Sequence, residues 1–330
     1  MNRIPVIIDC DPGVDDTAAL LLACQIPELD IRAVTTVAGN VGLDKTTANA
    51  KRVRRVIGAD FPIYRGADKP MFRELHTAAE FHGADGFGGV ELPIPDDVLS
   101  EEKAWDAIYR IAKELNGELV LIAVGPMTNV GIALAKYKEL PKLIKKIVIM
   151  GGAAIGGNVT PAAEFNIYVD PEAADMMFCS GIPVHMCGLD VTMKAYATKE
   201  ELEEIAAFGT PQAQLFHDVL QKGLEKYIGW GRAGVALHDP AAVLYTVYPE
   251  MFTAEEAGVR VETKGPLTVG KTVTDLYSDK QFDDHNAFVV TNVDREAFIG
   301  KIKELIKKYC EGAVFCMEDR FLHLIGGDFL

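Results

Sequence analysis

Ile7-Ile8-Asp9-Cys10-Asp11-Pro12-Gly13-Val14-Asp15-Asp16 is the stretch on which the reading of this chain turns. An apolar run, Val6 to Ile8, leads straight into four carboxylates within eight positions. The run reads as a strand. Pro12-Gly13 reads as a turn, and Asp15-Asp16 as the opening of the next helix. Ligand sites of open α/β sheets lie beyond the carboxyl ends of strands, which is where these carboxylates fall. Two explanations compete. Asp favours helix N-termini, so the cluster can be a capped turn. Capping uses one Asp rather than four, and crowded carboxylates repel unless a cation or a proton shares the site. An all-oxygen set favours Ca²⁺ or Mg²⁺. The stretch alone leaves both explanations open.

Working outward, short apolar runs alternate with helical patterns. Expected strands are Ile31 to Val37, Leu119 to Val124, Ile147 to Met150, Val184 to Cys187 and Asn286 to Thr291. Expected helices fall at Thr17–Cys24, Lys45–Ile57, Lys103–Leu115, Asn129–Tyr137, Pro171–Ser180, Lys199–Phe208, Gln212–Tyr227, Asp239–Val247 and Arg295–Tyr309. Apolar strands without alternation are typical of parallel strands covered on both faces. The alternation predicts an α/β fold: a doubly wound, mostly parallel central sheet flanked by helices. No linker, repeat or composition break divides the chain, so residues 1–330 are read as one domain. The loop 71–91, rich in Gly, His and acidic residues, is a candidate lid or site wall. The tail 312–330 is atypical, following a helix that looks terminal.

The 330 residues, 49% hydrophobic, suffice for a large core. The formal net charge of -15 repels nucleic-acid backbones and anionic membranes, and suits a bound cation. No nucleic-acid or membrane partner is expected. The six cysteines form no CxxC pair, and most lie in apolar stretches, as reduced thiols do. The chain enters a strand almost at once and has no apolar run long enough to span a bilayer, so a cytoplasmic enzyme without a signal peptide is expected.

Three further clusters carry polar groups at element ends. His238-Asp239-Pro240 stands at the entrance to an apolar helix, where Asp239 as N-cap and Pro240 at the first turn are a sufficient structural explanation. Gly151-Gly152 through Asn158 to Ala163-Glu164-Phe165-Asn166 follows the strand ending in Met150. It lacks the Lys and the order of a phosphate loop, and its groups suit hydroxyls. Gly125-Pro126-Met127-Thr128-Asn129 again turns a strand end into a helix.

Together, Asp9–Asp16, Asn40, Gly125–Asn129, Met150–Gly152, Ala163–Asn166 and His238–Pro240 resemble the inosine–uridine-preferring nucleoside hydrolase family, in order along the chain. The resemblance implies a ribonucleoside substrate whose N-glycosidic bond is hydrolysed. It implies Ca²⁺ held by Asp11, Asp16, Asp239 and the Thr128 carbonyl, with Asp11 as general base toward a water whose pKa the metal lowers. Positive charge then develops on the ribose ring. By the same resemblance Asp15 and Asn166 bind the 2′- and 3′-hydroxyls, and Asn158 and Glu164 the 5′-hydroxyl. Asn40 orients the site and Met150 packs beneath the sugar. His238 assists the leaving base, with His82 a second candidate on that side. Tyr227, and Trp230 after it, are candidates to stack on the base, and Arg232 is equally a surface residue. The pair His82 and His238 leans toward uridine and cytidine, with inosine admissible. Relatives are commonly homodimers or homotetramers.

Two other readings compete with this one. Asp9-x-Asp11 also resembles the start of a haloacid-dehalogenase-type phosphatase, which would use Mg²⁺. Gly13 and the Asp15-Asp16 pair have no place in that scheme. A non-catalytic ribose sensor would be expected to lack Asp11 or His238, and both are present.

Overall fold

A computed structural model describes residues 3–277 and 279–325, with side chains to Glu311. The first strand, β1 (Ile4–Cys10), lies inside the sheet, and its side chains divide between two layers. Val6 and Ile8 pack into a cluster with Leu20, Leu21 and Leu22 of the helix Val14–Ala23. Ile7, pointing the other way, joins Ile108, Ile111 and Leu121. Alternate residues of a strand face opposite sides, so an unbroken apolar run requires cover on both. Helices supply it.

The other strands are β2 (Leu29–Thr36), β3 (Ile63–Arg65), β4 (Leu119–Ala123), β5 (Ile144–Met150), β6 (Val184–Cys187), β7 (Tyr196–Ala197), β8 (Val235–Ala236), β9 (Phe252–Val261), β10 (Thr272–Asp275) and β11 (Ala287–Val293). Nine of them form one sheet in the order β10-β9-β11-β6-β5-β4-β1-β2-β3, and β7 pairs with β8 alone. The strands from β3 to β11 in this order are all parallel. Only β9 runs antiparallel to its neighbours. The expected doubly wound α/β fold in a single domain is therefore the fold of the chain.

The order also fixes where a ligand can bind. The chain proceeds outward from β1 to β2 and β3, then returns to place β4 on the other side of β1. Connections leaving β1 and β4 diverge, which opens a crevice at their carboxyl ends. Asp9 of β1 is in register with Ala123 of β4, so Asp11 and the Val124–Thr128 turn leave the sheet side by side.

Most expected elements lie within a few residues of their observed bounds. Five strands were not anticipated: the two-residue pair β7 and β8, too short to leave a pattern, and three in the main sheet. β3 has three residues. β10 reads Thr-Val-Thr-Asp, too polar for an apolar-run criterion. β9 carries Glu255 and Glu256 on its exposed stretch. All three lie at or beside a sheet edge, where half-solvated strands lose the apolar signal. The last helix, Arg295–Ile325, passes the expected end at Tyr309. Gly312 does not stop it, since a lone glycine costs a helix only about 1 kcal/mol. Residues 326–330 of the tail lie outside the described residues. Among the described residues no helix is long and apolar enough to cross a membrane.

Candidate active site

Gly13 lies just ahead of the helix Val14–Ala23, and Asp16 occupies the third helical position. The Asp16 carboxylate accepts from the backbone N–H of Gly13 at 2.9 Å and of Asp11 at 3.1 Å. The capping explanation is thus correct for Asp16 and for it alone among the four. Asn40 binds the same loop from β2's far end. Its backbone N–H donates to Asp11 Oδ2 at 2.6 Å, and its Nδ2 donates to Asp16 Oδ2 at 3.1 Å. Asp11 is wedged between two glycines. A Cβ on Gly39 would fall 2.2 Å from Asp11 Oδ2, and one on Gly125 2.7 Å from Oδ1.

Asp15, Asp16 and Asp239 each bring a carboxylate oxygen to within 4.8 Å of the others. This trio departs in one member from the expected ligand set, because Asp15 was assigned to the ribose. Asp11 stands beside it, close enough for a hydrogen bond with the Asp16 carboxyl. Burial, and then the charge of Asp16, raises Asp11 far above the carboxylate range. Burial, Asp15 and Asp16 do the same to Asp239. Asp15 is raised to about 8 by burial and by Asp16. Asp239 is the second residue of the helix His238–Val247 and Leu237 is its N-cap, so Asp239 is not the capping residue it was expected to be. Buried like charges of this kind are relieved by a cation or by protons. An all-carboxylate donor set fits a hard cation such as Ca²⁺.

Asp9 has a separate role. Its Oδ1 accepts from Thr35 Oγ1 at 2.5 Å and Asn129 Nδ2 at 2.7 Å. Its Oδ2 is buried without a partner, and burial raises the group to about 7. Asn129 also accepts from the Ala67 N–H at 2.9 Å. Its neighbour Thr128 donates its hydroxyl to Asp170 Oδ2 at 2.7 Å, so both residues of the β4 turn are tied down.

A cavity of about 850 Å³ opens above the carboxylates. Asp15, Asn40 and Asp239 line its floor side, and Met150, Asn158, Glu164 and Asn166 one wall. Asn166 commits Nδ2 to the carbonyls of Val124 at 2.7 Å and Met150 at 3.0 Å, which leaves Oδ1 as its acceptor. Glu164 caps the helix Phe165–Val169, and its carboxylate takes N–H donors from Gly152, Asn166 and Ile167. Burial raises it to about 7 despite these bonds. Asn158 Oδ1 accepts from Phe165 N–H at 2.9 Å.

His82, Tyr227, Trp230 and His238 line the opposite side. His82 Nδ1 accepts from the backbone N–H of Val14 at 3.2 Å, so its proton sits on Nε2. Burial, and then the proximity of His238, lowers it to about 3, which keeps it neutral. His238 Nε2 is 2.9 Å from the Tyr227 hydroxyl, and Nδ1 is 2.8 Å from Thr192 Oγ1. Trp230 is 64% exposed at the mouth and stacks against Phe81. Arg232 is exposed and does not line the cavity.

The loop expected as a lid or wall is a wall. The short helix Ala79–His82 lies within it, Ala78 N–H donates to the Asn40 carbonyl at 3.1 Å, and Phe87 is fully buried. His76, Phe81 and Lys226 also line the cavity and were not singled out. His76 and Phe81 lay within the flagged loop. Lys226 carried no motif; its ammonium donates to the Glu80 carbonyl and sits over the Phe81 ring. A second cavity of about 820 Å³, lined by Arg65, Lys69, Lys103 and Trp105 among others, contains none of the four clustered carboxylates.

A sequence model of the inosine-uridine preferring nucleoside hydrolases matches residues 6–300. The chain belongs to this family. It is thus an N-glycosyl hydrolase by kinship. The chain is 44% identical over 314 residues to the pyrimidine-specific ribonucleoside hydrolase RihA of Photobacterium profundum, covering 94% of this chain and 100% of that one. It is 44% identical over 309 residues to the RihA of Salmonella arizonae, covering 93% and 99%. Among solved structures, a purine-preferring ribonucleoside hydrolase from Gardnerella vaginalis superimposes with a TM-score of 0.87 at 33% identity, over 93% of this chain and 99% of that one. A plant nucleoside hydrolase, PpNRh1, gives 0.87 at 32%, over 92% and 99%. Relatives with opposite base preferences thus resemble this chain, and the backbone fold does not encode the base.

Proposed function

We propose that this hydrolase cleaves the N-glycosidic bond of ribonucleosides, with uridine and cytidine preferred, and that it uses Ca²⁺. The observation that carries the reading is the convergence of buried carboxylates beneath the cavity, beyond what one helix cap requires. The pyrimidine preference is supported by the printed specificity of the RihA relatives.

Asp11, Asp16, Asp239 and the Thr128 carbonyl would hold the ion. The ion, when bound, supplies Lewis acidity that brings a water toward deprotonation near neutral pH. Asp11 accepts the water's proton. Asn40 holds the Asp11 carboxylate through its N–H, and Gly39 and Gly125 leave room for it. Asp15 and the Oδ1 of Asn166 accept from the 2′- and 3′-hydroxyls, while Asn158 and Glu164 take the 5′-hydroxyl. The negative charge of the cluster favours the cationic sugar of the transition state.

On the base side, the Tyr227 hydroxyl stands against His238 Nε2. The leaving base gains a proton or a strong hydrogen bond from this pair, and His82 offers Nε2–H alongside. Such assistance is worth about 10²–10⁴ in rate. A ribose-release assay across uridine, cytidine, inosine and adenosine tests the proposal. Release fastest from uridine and cytidine is expected. Release from none of the four would overturn the activity, and inosine or adenosine as the best substrate would overturn the preference.

A further inference from the structure

The loop from Gly151 to Ala163 leaves β5 and returns at Glu164, and its tip has little apolar anchoring: Ile155 is 84% exposed. It is held instead by polar groups from two other elements. Asp190, in the helix Leu189–Thr192, accepts from the N–H groups of Ala154 at 2.6 Å and Ile155 at 3.1 Å. Thr272 of β10 contacts Ala153 twice, accepting its N–H at 2.9 Å and donating to its carbonyl at 2.7 Å. Lys271, just before β10, donates its ammonium to the carbonyls of Ala153 at 2.8 Å, Ala154 at 2.9 Å and Gly156 at 3.4 Å.

Three carbonyl dipoles turned toward one point repel one another unless a donor or cation stands there. An ammonium has three N–H donors and no acceptor, which matches three carbonyls. Without it, a turn with few apolar contacts has alternatives of similar energy. The loop is also stiff beyond the clamp. A Cβ on Gly157 would fall 2.3 Å from the Ala163 carbonyl oxygen, so the outgoing and returning backbones touch. Asn158 follows directly, donating its N–H to the Ala163 carbonyl at 3.1 Å and accepting from Phe165 N–H at 2.9 Å. Displacement at 153–156 therefore moves Asn158, and through Gly152 N–H it moves the Glu164 carboxylate.

We infer that Lys271 is a positioning residue for the sugar's 5′ end: it gathers the carbonyls of the 153–156 turn and so sets Asn158 and Glu164 against the substrate's 5′-hydroxyl. This rests on the 5′ assignment made under the proposed function. Lys271 itself does not line the cavity.

The test compares kcat/KM on uridine and on 5′-deoxyuridine, with the full chain and Ca²⁺ present. The wild type is expected to favour uridine by at least about 10²-fold, because a site built to hydrogen-bond a hydroxyl rejects the analogue that lacks it. Lys271→Met is expected to lose about 10–100-fold on uridine and less than about 3-fold on 5′-deoxyuridine, because the contact it spoils is absent from the second substrate. Lys271→Arg, which keeps the charge and the donors, should recover part of the loss. Equal losses on both substrates would make Lys271 merely structural and overturn the inference. Wild-type indifference to the 5′-hydroxyl would overturn the 5′ assignment itself, and it is read before any variant is made. Should Lys271→Met fail to fold, Asp190→Asn loosens the same turn from its other side. The same selective loss on uridine is then expected, and an unselective loss would count against the inference.

Discussion

His238 Nε2 lies 2.9 Å from the hydroxyl of Tyr227, while its Nδ1 lies 2.8 Å from Thr192 Oγ1. The imidazole thus spans two hydroxyls, one of them on a residue lining the cavity. Burial lowers His238 to about 4, so it is neutral near pH 7 with one N–H to give. Burial raises Tyr227 well above its usual range, so its phenol keeps its proton. If Thr192 receives the His238 N–H, Nε2 accepts from Tyr227. If Nε2 carries the proton, Tyr227 can pass its own toward the base and be resupplied.

The first prediction follows from that pair. Tyr227→Phe removes the hydroxyl and leaves the ring and its contact with Phe81. It should lower kcat on uridine by about 10–100-fold, within the range of acid assistance. On p-nitrophenyl riboside, whose leaving group needs no proton, the loss should stay below about 3-fold. His238→Ala should show the same selectivity. Equal losses on both substrates would remove the pair from leaving-group assistance.

The second concerns Asp11. Asp11→Asn keeps the shape but cannot accept a proton, so turnover should fall by at least about 10³-fold in a folded protein. Gly39→Ala probes the same group by geometry, since its Cβ would fall 2.2 Å from Asp11 Oδ2 and 2.7 Å from Pro126. It should cut turnover about 10²-fold or more, as small misplacements of a reacting group do. Near-normal rates in either folded variant would refute Asp11 as the base.

How far the sequence could be read depends on where each signal lay. β1 and its carboxylates were legible because an unbroken apolar run must be covered on both faces, and because four acids exceed one cap. Asp16 shows the limit, since it does cap the helix and sits in the cluster as well. Nothing along the chain could say that Asp15, rather than Asp11, would complete the converging trio. That depends on how the helix turns its first residues toward Asp239, 223 residues or more away. Tyr227 against His238, and Lys271 against the 153–156 turn, are likewise tertiary meetings with no local pattern. The edge strands β9 and β10 escaped because half-solvated edges carry polar residues, and with β10 went the sight of Lys271.

The third prediction is metal removal. Asp15, Asp16 and Asp239 bring oxygens within 4.8 Å of each other, with Asp16 and Asp239 buried and Asp15 half-buried at the cavity. A cation bound only to the folded state stabilises it by RT ln(1 + [L]/Kd), about 2.7 kcal/mol at a hundredfold excess over Kd. Chelation should therefore lower the melting temperature by several degrees and abolish ribose release, with both restored by Ca²⁺. An unchanged melting temperature and rate after exhaustive chelation would argue against the site.

The last prediction is a pH dependence set far from the carboxylates. His185 on β6 has its Nδ1 2.9 Å from the Tyr245 hydroxyl and stacks on Phe288 at 4.8 Å. Burial, and then the charge of Lys146, lowers it to about 4. Its unfolded value is about 6.5. Above that value neither state binds the proton, and its contribution to stability is complete. As pH falls below about 6.5 the unfolded chain takes up a proton that the folded one refuses, so stability declines until the pH passes about 4. His238 and His82 are lowered in the same sense, whereas the raised carboxylates act oppositely, so the whole curve mixes both. The difference between wild type and His185→Gln isolates one group. Denaturant titrations from pH 8 to 4 should give parallel stabilities above pH 7 and a shallower acid decline for the variant. A difference that stayed constant across the range would mean that His185 titrates normally in the fold.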